Sequence, residues 1–401
     1  MDTMKHARMC VFLAAVVVAA GCSRSLHSRP VSAGPDGSHA SREVASVAPG
    51  LYHTLELMRD GTVRSWGNNS CGELGNGSRS GAEDTPEEKP ATVFGLTGVV
   101  AVAVGGVPVT SVFYIGGGGQ VTTPPPPPPV AHSLALEKDG SVWAWGSNKS
   151  GQLGAGSSTD AVVPARVPGL SEPVRAISAG NAFSLALTAD GAVYAWGDNT
   201  YGQLGIRPGK RSAGPVRVGG LPAVAAIAAG DVYCLAVGRD GSVWAWGLDC
   251  GRLGDGLITE QSSDPVNRSV PVRVKKLSDV VDVAAGENHG MALRRDGTIW
   301  VWGDNDRGQL GFVRAGIAPN TRYVPVRLPA LTDVVAIAAC GNGSAALRRD
   351  GAVWSWGAHA PDAPTPVNGA KDVTSVALGY SYGSGFAVRR DGTVARFGRR
   401  D

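Results

Sequence analysis

The chain has 401 residues, a length that at roughly 150 residues per domain would give two or three domains. Its 57 glycines and 26 prolines fall short of the roughly 25–30% that marks low-complexity disorder, and 43% of residues are hydrophobic against 18% charged. A turn-rich globular β protein is implied. The formal charge of +3 excludes polyelectrolyte character and makes nucleic acid a disfavoured partner.

The first 21 residues have the layout of an export signal. Lys5 and Arg8 give a basic start, and Val11 to Ala20 form an apolar run too short to span a bilayer. The run ends in Ala19-Ala20-Gly21-Cys22, which resembles the lipobox of bacterial lipoproteins. That resemblance implies acylation of Cys22, insertion into the lipid bilayer through the acyl chains, and residence in the cell envelope; the alternative is ordinary cleavage nearby and secretion. Ser23 stands where an Asp often retains lipoproteins at an inner membrane, which favours the outer membrane in a two-membrane cell. Residues 22–43, rich in Ser, Gly, Pro and His, form a flexible tether.

From residue 44 to 398 the chain repeats. Asp-Gly pairs begin at Asp60, Asp139, Asp190, Asp240, Asp296, Asp350 and Asp391, and six residues after each Asp stands an aromatic followed by Gly: Trp66, Trp145, Trp196, Trp246, Trp302, Trp356 and Phe397. Successive Asp residues lie 79, 51, 50, 56, 54 and 41 apart, so the unit is about 50 residues long. The long first interval carries a Gly/Pro-rich insertion at 106–130, whose proline run Pro124 to Pro129 is expected to be polyproline II.

In the third unit, Val174 to Gly180 reads as a first strand and Ser184 to Leu187 as a second. Asp190-Gly191 is expected to form a type I′ hairpin turn. Val193 to Gly197 is the third strand, and Pro215 to Val218 a fourth, Pro-initiated strand suited to an edge. Four short antiparallel strands per unit make a propeller blade, and seven units fit the usual four to eight blades. The expected fold is all-β, a seven-bladed β-propeller. The seventh unit lacks a fourth strand, and Arg29-Pro30-Val31-Ser32, which matches the Pro-Val strands elsewhere, is either that missing outer strand or part of the tether.

The segment Gly286 to Leu310, with Gly286, His289, Asp296, Gly297, Trp300, Trp302, Gly303, Asn305, Gly308, Gln309 and Leu310, resembles the RCC1 repeat. The resemblance covers about 44 to 398. It implies a propeller that serves as a binding scaffold, and neither nucleotide exchange on a nuclear GTPase nor β-lactamase inhibition transfers with it.

No arrangement of residues supports catalysis, and no cofactor is implied. His53, His132 and His289 share one repeat position with Phe183, Tyr233, Gly343 and Ser384, a tolerance that suits packing or a local hydrogen bond rather than metal ligation. Cys234 and Cys250 fall in one blade and either pair or remain thiols. Gly116 to Gly119 lacks the Gly-Lys-Ser/Thr of a phosphate loop.

Alternation of turns across a meander places the loops after Gly180-type glycines and after Trp-Gly on one face of the ring. That face collects all the length variation, including 248–270 and 304–323, and is the expected site for an unidentified protein partner. On the other face the residue before each Asp is basic in six units of seven, and Arg294-Arg295, Arg348-Arg349 and Arg389-Arg390 form a candidate anion-contacting patch. The expected function is a monomeric, membrane-tethered, non-enzymatic interaction scaffold. The competing reading, a hydrolase or lyase on envelope polysaccharide, requires carboxylates gathered at one end of the channel.

Overall fold

The computed structural model describes residues 18–20, 23–25, 43–81, 86–106, 131–257, 266–313, 320–358, 360–380 and 384–398. They form seven antiparallel sheets arranged as a propeller. Blade three shows the plan: Val174–Ala179, Phe183–Thr188, Val193–Gly197 and Ser212–Arg217 hydrogen-bond in chain order. Blades one to six have four strands each, beginning at Val44, Val99, Val174, Val224, Val280 and Val334, and blade seven contributes Val373–Leu378, Gly385–Arg389 and Val394–Phe397. The first strands are rich in Val, Ala and Ile and buried on both sides because their two faces meet the two neighbouring blades, Ala176 packing in the cluster with blade four and Ile177 in that with blade two.

The expected type I′ turn is not what the chain forms. At Asp190-Gly191 only the glycine takes a positive φ, +100°, and the amide of Gly191 donates to the Thr188 carbonyl at 3.0 Å. This is a type I turn closed by a glycine bulge. The Asp stays in the ordinary α region and its carboxylate accepts the amide two residues on, at 2.8–3.2 Å in all seven turns. The physical reason is that an Asx contact stabilises a turn without a positive φ at Asp.

Seven apolar clusters fill the seven interfaces between adjacent blades. The ring closes where Val44, Val47 and Met58 of blade one meet Phe386 and Val388 of blade seven. At that seam the Val44 amide donates to the Gly392 carbonyl at 3.2 Å, the same link that joins Val224 to Gly191 at 2.9 Å within the ring.

The expected outer strand at Arg29–Ser32 lies outside the described residues, as does the bulk of the insertion at 107–130. The N-terminal strands that do join blade seven, Val18–Ala20 and Ser23–Ser25, add to its inner edge, with Ser23 opposite Ala377.

Candidate functional site

The indoles staple blade to blade. Trp145, Trp196, Trp246, Trp302 and Trp356 are fully buried. Each indole N–H donates to a backbone carbonyl of the preceding blade, from Glu73, Gln152, Gln203, Arg252 and Gln309 respectively, at 2.8–3.0 Å. Trp66 and Phe397 occupy the same position in blades one and seven but are only partly buried. The Glu73, Gln152 and Gln309 carbonyls also accept a serine hydroxyl, from Ser133, Ser184 and Ser344.

Those serines explain the histidines. His53, His132 and His289 hydrogen-bond through Nε2 to Ser133, Ser184 and Ser344 at 2.7, 3.0 and 2.8 Å. Since each hydroxyl already donates to a carbonyl, the imidazole must carry its proton on Nε2. Burial pulls their pKa values down to about 3, 4 and 3, so all three are neutral structural groups. Among the described residues no cluster of His, Cys, Asp or Glu is arranged to hold a metal. Cys234 and Cys250 are separate thiols, Cys234 buried and Cys250 exposed. Cys340 is disulfide-bonded, and Gly341 makes the turn after it with φ +53°.

At the mouth where the first strands end, the backbone of each blade leans on the next. A Cβ on Gly180 would lie 2.6 Å from the Gly230 carbonyl and 2.0 Å from the Phe183 ring, so only glycine permits that approach. The Asn181 amide donates to the Asp231 carbonyl at 2.9 Å and the Glu287 amide to the Gly341 carbonyl at 2.8 Å. The residues following the glycines then crowd the rim. Glu287 accepts hydrogen bonds from the Tyr380 hydroxyl at 2.7 Å and the Asn342 amide at 3.2 Å. Burial, reinforced by the Glu287 carboxylate, pushes the Asp231 carboxyl up to about 6, with Arg252 opposing. Burial and the bond to Glu287 likewise hold the Tyr380 hydroxyl protonated. With Val18–Ala20 lying against the first strands inside the ring, the cavity they enclose is about 30 Å³, room for a water molecule.

This mouth opens on the loop-bearing face. In blade four the third strand continues to Asp249 and pairs with Val266–Arg273, lengthening the hairpin toward that face. The candidate arginines sit on the opposite face and do not converge on a pocket. Arg294 lies over the Trp300 ring, 5.9 Å from its centroid, and reaches Asp279 at 3.3 Å. Arg348 pairs with Asp350 at 3.6 Å and Arg389 bonds the Gly369 carbonyl at 3.2 Å. Arg295, Arg349 and Arg390 are exposed. Cys22 lies outside the described residues.

Sequence reasoning missed the rim pair Asp231 and Glu287 and the buried acid Glu73. The signal was present in each case. Asp231 and Glu287 directly follow the strand-ending glycines where Asn181 stands in blade three and Gly341 in blade six, and Glu73 replaces the glutamine found at Gln152, Gln203 and Gln309.

Residues 130–401 match the family model described as RCC1-like domain, and residues 44–73 match that of the Regulator of chromosome condensation (RCC1) repeat. The E3 ubiquitin-protein ligase HERC2 of Homo sapiens is 30% identical over 281 residues, 68% of this chain but 5% of HERC2; the chain thus spans a small fraction of that relative. The Ultraviolet-B receptor UVR8 of Arabidopsis thaliana is 28% identical over 353 residues, 79% of this chain and 77% of the receptor. Yeast RCC1 (Prp20), solved bound to Kap60, superposes with a TM-score of 0.67 at 24% identity, covering 84% of this chain and 78% of that one. Human WBSCR16 gives 0.65 at 23% identity, covering 83% and 84%. Repeat, stapled blades and family match agree: the chain belongs to the RCC1-like domain family.

Proposed function

We propose that the protein is an exported, lipid-anchored propeller that binds a protein partner through the loops around one mouth of its channel. One observation carries this reading. Among the described residues the connections that vary most in length, those from third to fourth strands, start on the face that also bears the polar rim of Asp231, Glu287 and Tyr380, while the blades beneath are locked by buried indoles. Rigid scaffolds that vary only in their loops on one face are built for recognition. Structural neighbours bind proteins, Kap60 in the case of yeast RCC1, and Gsp1p and histones in the case of Prp20p. Export and anchoring rest on the signal-like first 21 residues and Cys22.

The rim carboxylates are what a polysaccharide hydrolase in the mouth would require. The loops of irregular length around them favour binding over that chemistry. Crosslinked pull-down from envelope extract, read by mass spectrometry, tests it. Replacing residues 248–270 by the shorter blade-three loop should abolish capture of the partner, and capture that survives the exchange would reject this face as the binding site.

A further inference from the structure

We propose that blade four carries a cation site, a Ca²⁺ ion held by Asp249, Asp255 and the carbonyls of the turn between them, at the root of the 248–270 loop. The inference does not depend on how the protein recognises a partner. It comes from following one position around the ring.

In blades one, two, three and five the third residue after the wedge tryptophan is an asparagine: Asn69, Asn148, Asn199 and Asn305. Its oxygen accepts the amide of the loop leucine, Leu74, Leu153, Leu204 or Leu310, at 2.9–3.0 Å. Its NH₂ group donates to a carbonyl just past that leucine, of Ser78, Ser157, Arg207 or Phe312, at 2.7–3.2 Å. Loop carbonyls therefore turn inward on this point in each of these blades.

Blade four has Asp249 there, in a loop one residue shorter. One carboxylate oxygen accepts the Gly251 amide at 2.9 Å, and the Leu253 amide lies beside it. Asp249 is 1% exposed, and its second oxygen, buried with it, has no hydrogen-bond partner among the described residues. An acceptor thus stands where the other blades put a donor. The residues that follow Leu253, where the inward carbonyls arise elsewhere, are Asp255, Gly256 and Leu257. Burial and the Asp255 carboxylate both raise the Asp249 carboxyl above its ordinary value. Arg268 offsets only part of this: its Nη2 reaches Asp255 at 3.4 Å, and two carboxylates against one guanidinium leave a negative charge over.

A buried carboxylate so placed is stabilised by a proton or by a cation. Glu73 stands without a second acid in contact and takes the proton. At Asp249 a second carboxylate and a turn of carbonyls make an all-oxygen set, which is what Ca²⁺ accepts, with water completing its six to eight ligands. Mg²⁺, which demands a near-ideal octahedron, suits such a turn poorly. Only two acidic side chains take part, so no three-residue ligand cluster marks the site.

Equilibrium dialysis of the full chain against radioactive Ca²⁺, in roughly 0.15 M NaCl, tests the site. One ion should bind per chain, with a Kd on the order of 10⁻⁴–10⁻³ M, and an equal concentration of Mg²⁺ should not displace it. Asp249→Asn, which installs the residue of four other blades, should fold and lose the ion. Asp255→Asn should bind at least about tenfold more weakly. Asp304→Asn, in the matching loop of blade five, should bind as the parent does. A parent chain that takes up no Ca²⁺, or Asp249→Asn protein that binds it as tightly as the parent, overturns the proposal. So does an unfolding midpoint at pH 8 that Asp249→Asn raises equally with and without Ca²⁺, because Asp249 would then be holding a proton as Glu73 does. Capture of a partner is not read in this experiment, so its outcome bears on the cation alone.

Discussion

Glu73 is the residue whose chemistry departs most from its setting. It is fully buried, one carboxylate oxygen accepts the Cys71 amide at 2.7 Å, and the other has no partner. In blades two, three and five a glutamine does the same work, its oxygen accepting the amide two residues back at 2.8–2.9 Å. Burial pushes Glu73 up to about 7 from its ordinary 4.5. The folded protein therefore prefers the protonated acid, which mimics glutamine. Below pH 4.5 both folded and unfolded chains hold the proton and nothing is lost; as pH rises from 4.5 through 7 the unfolded chain ionises first and stability falls. Glu73→Gln should remove this loss and stabilise the protein by roughly 1–3 kcal/mol at pH 8, with little effect at pH 4.5. Denaturant midpoints of parent and variant at both pH values measure it, and a gain of equal size at the two would refute the assignment. The neutral histidines act with the opposite sign, since their depressed pKa values remove stability as pH falls below 6.5. Only the difference between parent and variant isolates Glu73.

Between residues and ring stands the blade, whose unit of cohesion is the third-strand indole. Trp196 fills the interface of blades two and three and bonds the Gln152 carbonyl. Truncating it to Ala removes both the wedge and the bond, a loss of about 3–5 kcal/mol. Trp196→Phe should cost far less, about 1–2 kcal/mol, because Ser184 still donates to that carbonyl. Trp66→Ala should cost less than half of Trp196→Ala, since Trp66 is only partly buried and no hydrogen bond to its indole is found among the described residues. Equal losses at the two positions, read from denaturant unfolding, would show that position in the repeat rather than burial sets the energy. The same element explains what was legible in the sequence. Asp-Gly and Trp-Gly recur because each blade needs one tight turn and one wedge, and that fixed spacing exposes strand order, blade number and ring. The turn type was misread because Asp-Gly suits two hairpin geometries and the choice depends on whether the Asp side chain caps its own turn. The rim was not legible because Asp231, Glu287 and Tyr380 come from three blades and meet only once the ring is closed, at a position where the repeat tolerates Asn, Asp, Glu and Tyr.

A closed ring has no free end, so its stability is limited by its weakest interface, and the structure identifies which one that is. Six interfaces each hold a buried cluster that includes a fully buried indole or, between blades six and seven, Phe397 packed against Val376 and Leu378. The seam between blades seven and one holds only Val44, Val47, Met58, Phe386 and Val388 as buried residues, with Trp66 and Val394 partly buried against them. Among the described residues the outer edge of Val394–Phe397 pairs with nothing. Opening should therefore begin here, with blades one and seven separating while blades two to five remain joined. Native-state hydrogen exchange reads this directly: amides of 44–48 and 385–389 should exchange by openings of lower free energy than those of 226–229 and 234–237. Phe386→Ala, which deletes the largest fully apolar side chain buried at the seam, should widen that gap by about 3 kcal/mol at the seam amides while leaving the exchange of blade four limited by its own, larger opening energy. A uniform rise in exchange across all seven blades would mean instead that the ring opens only by unfolding as one unit.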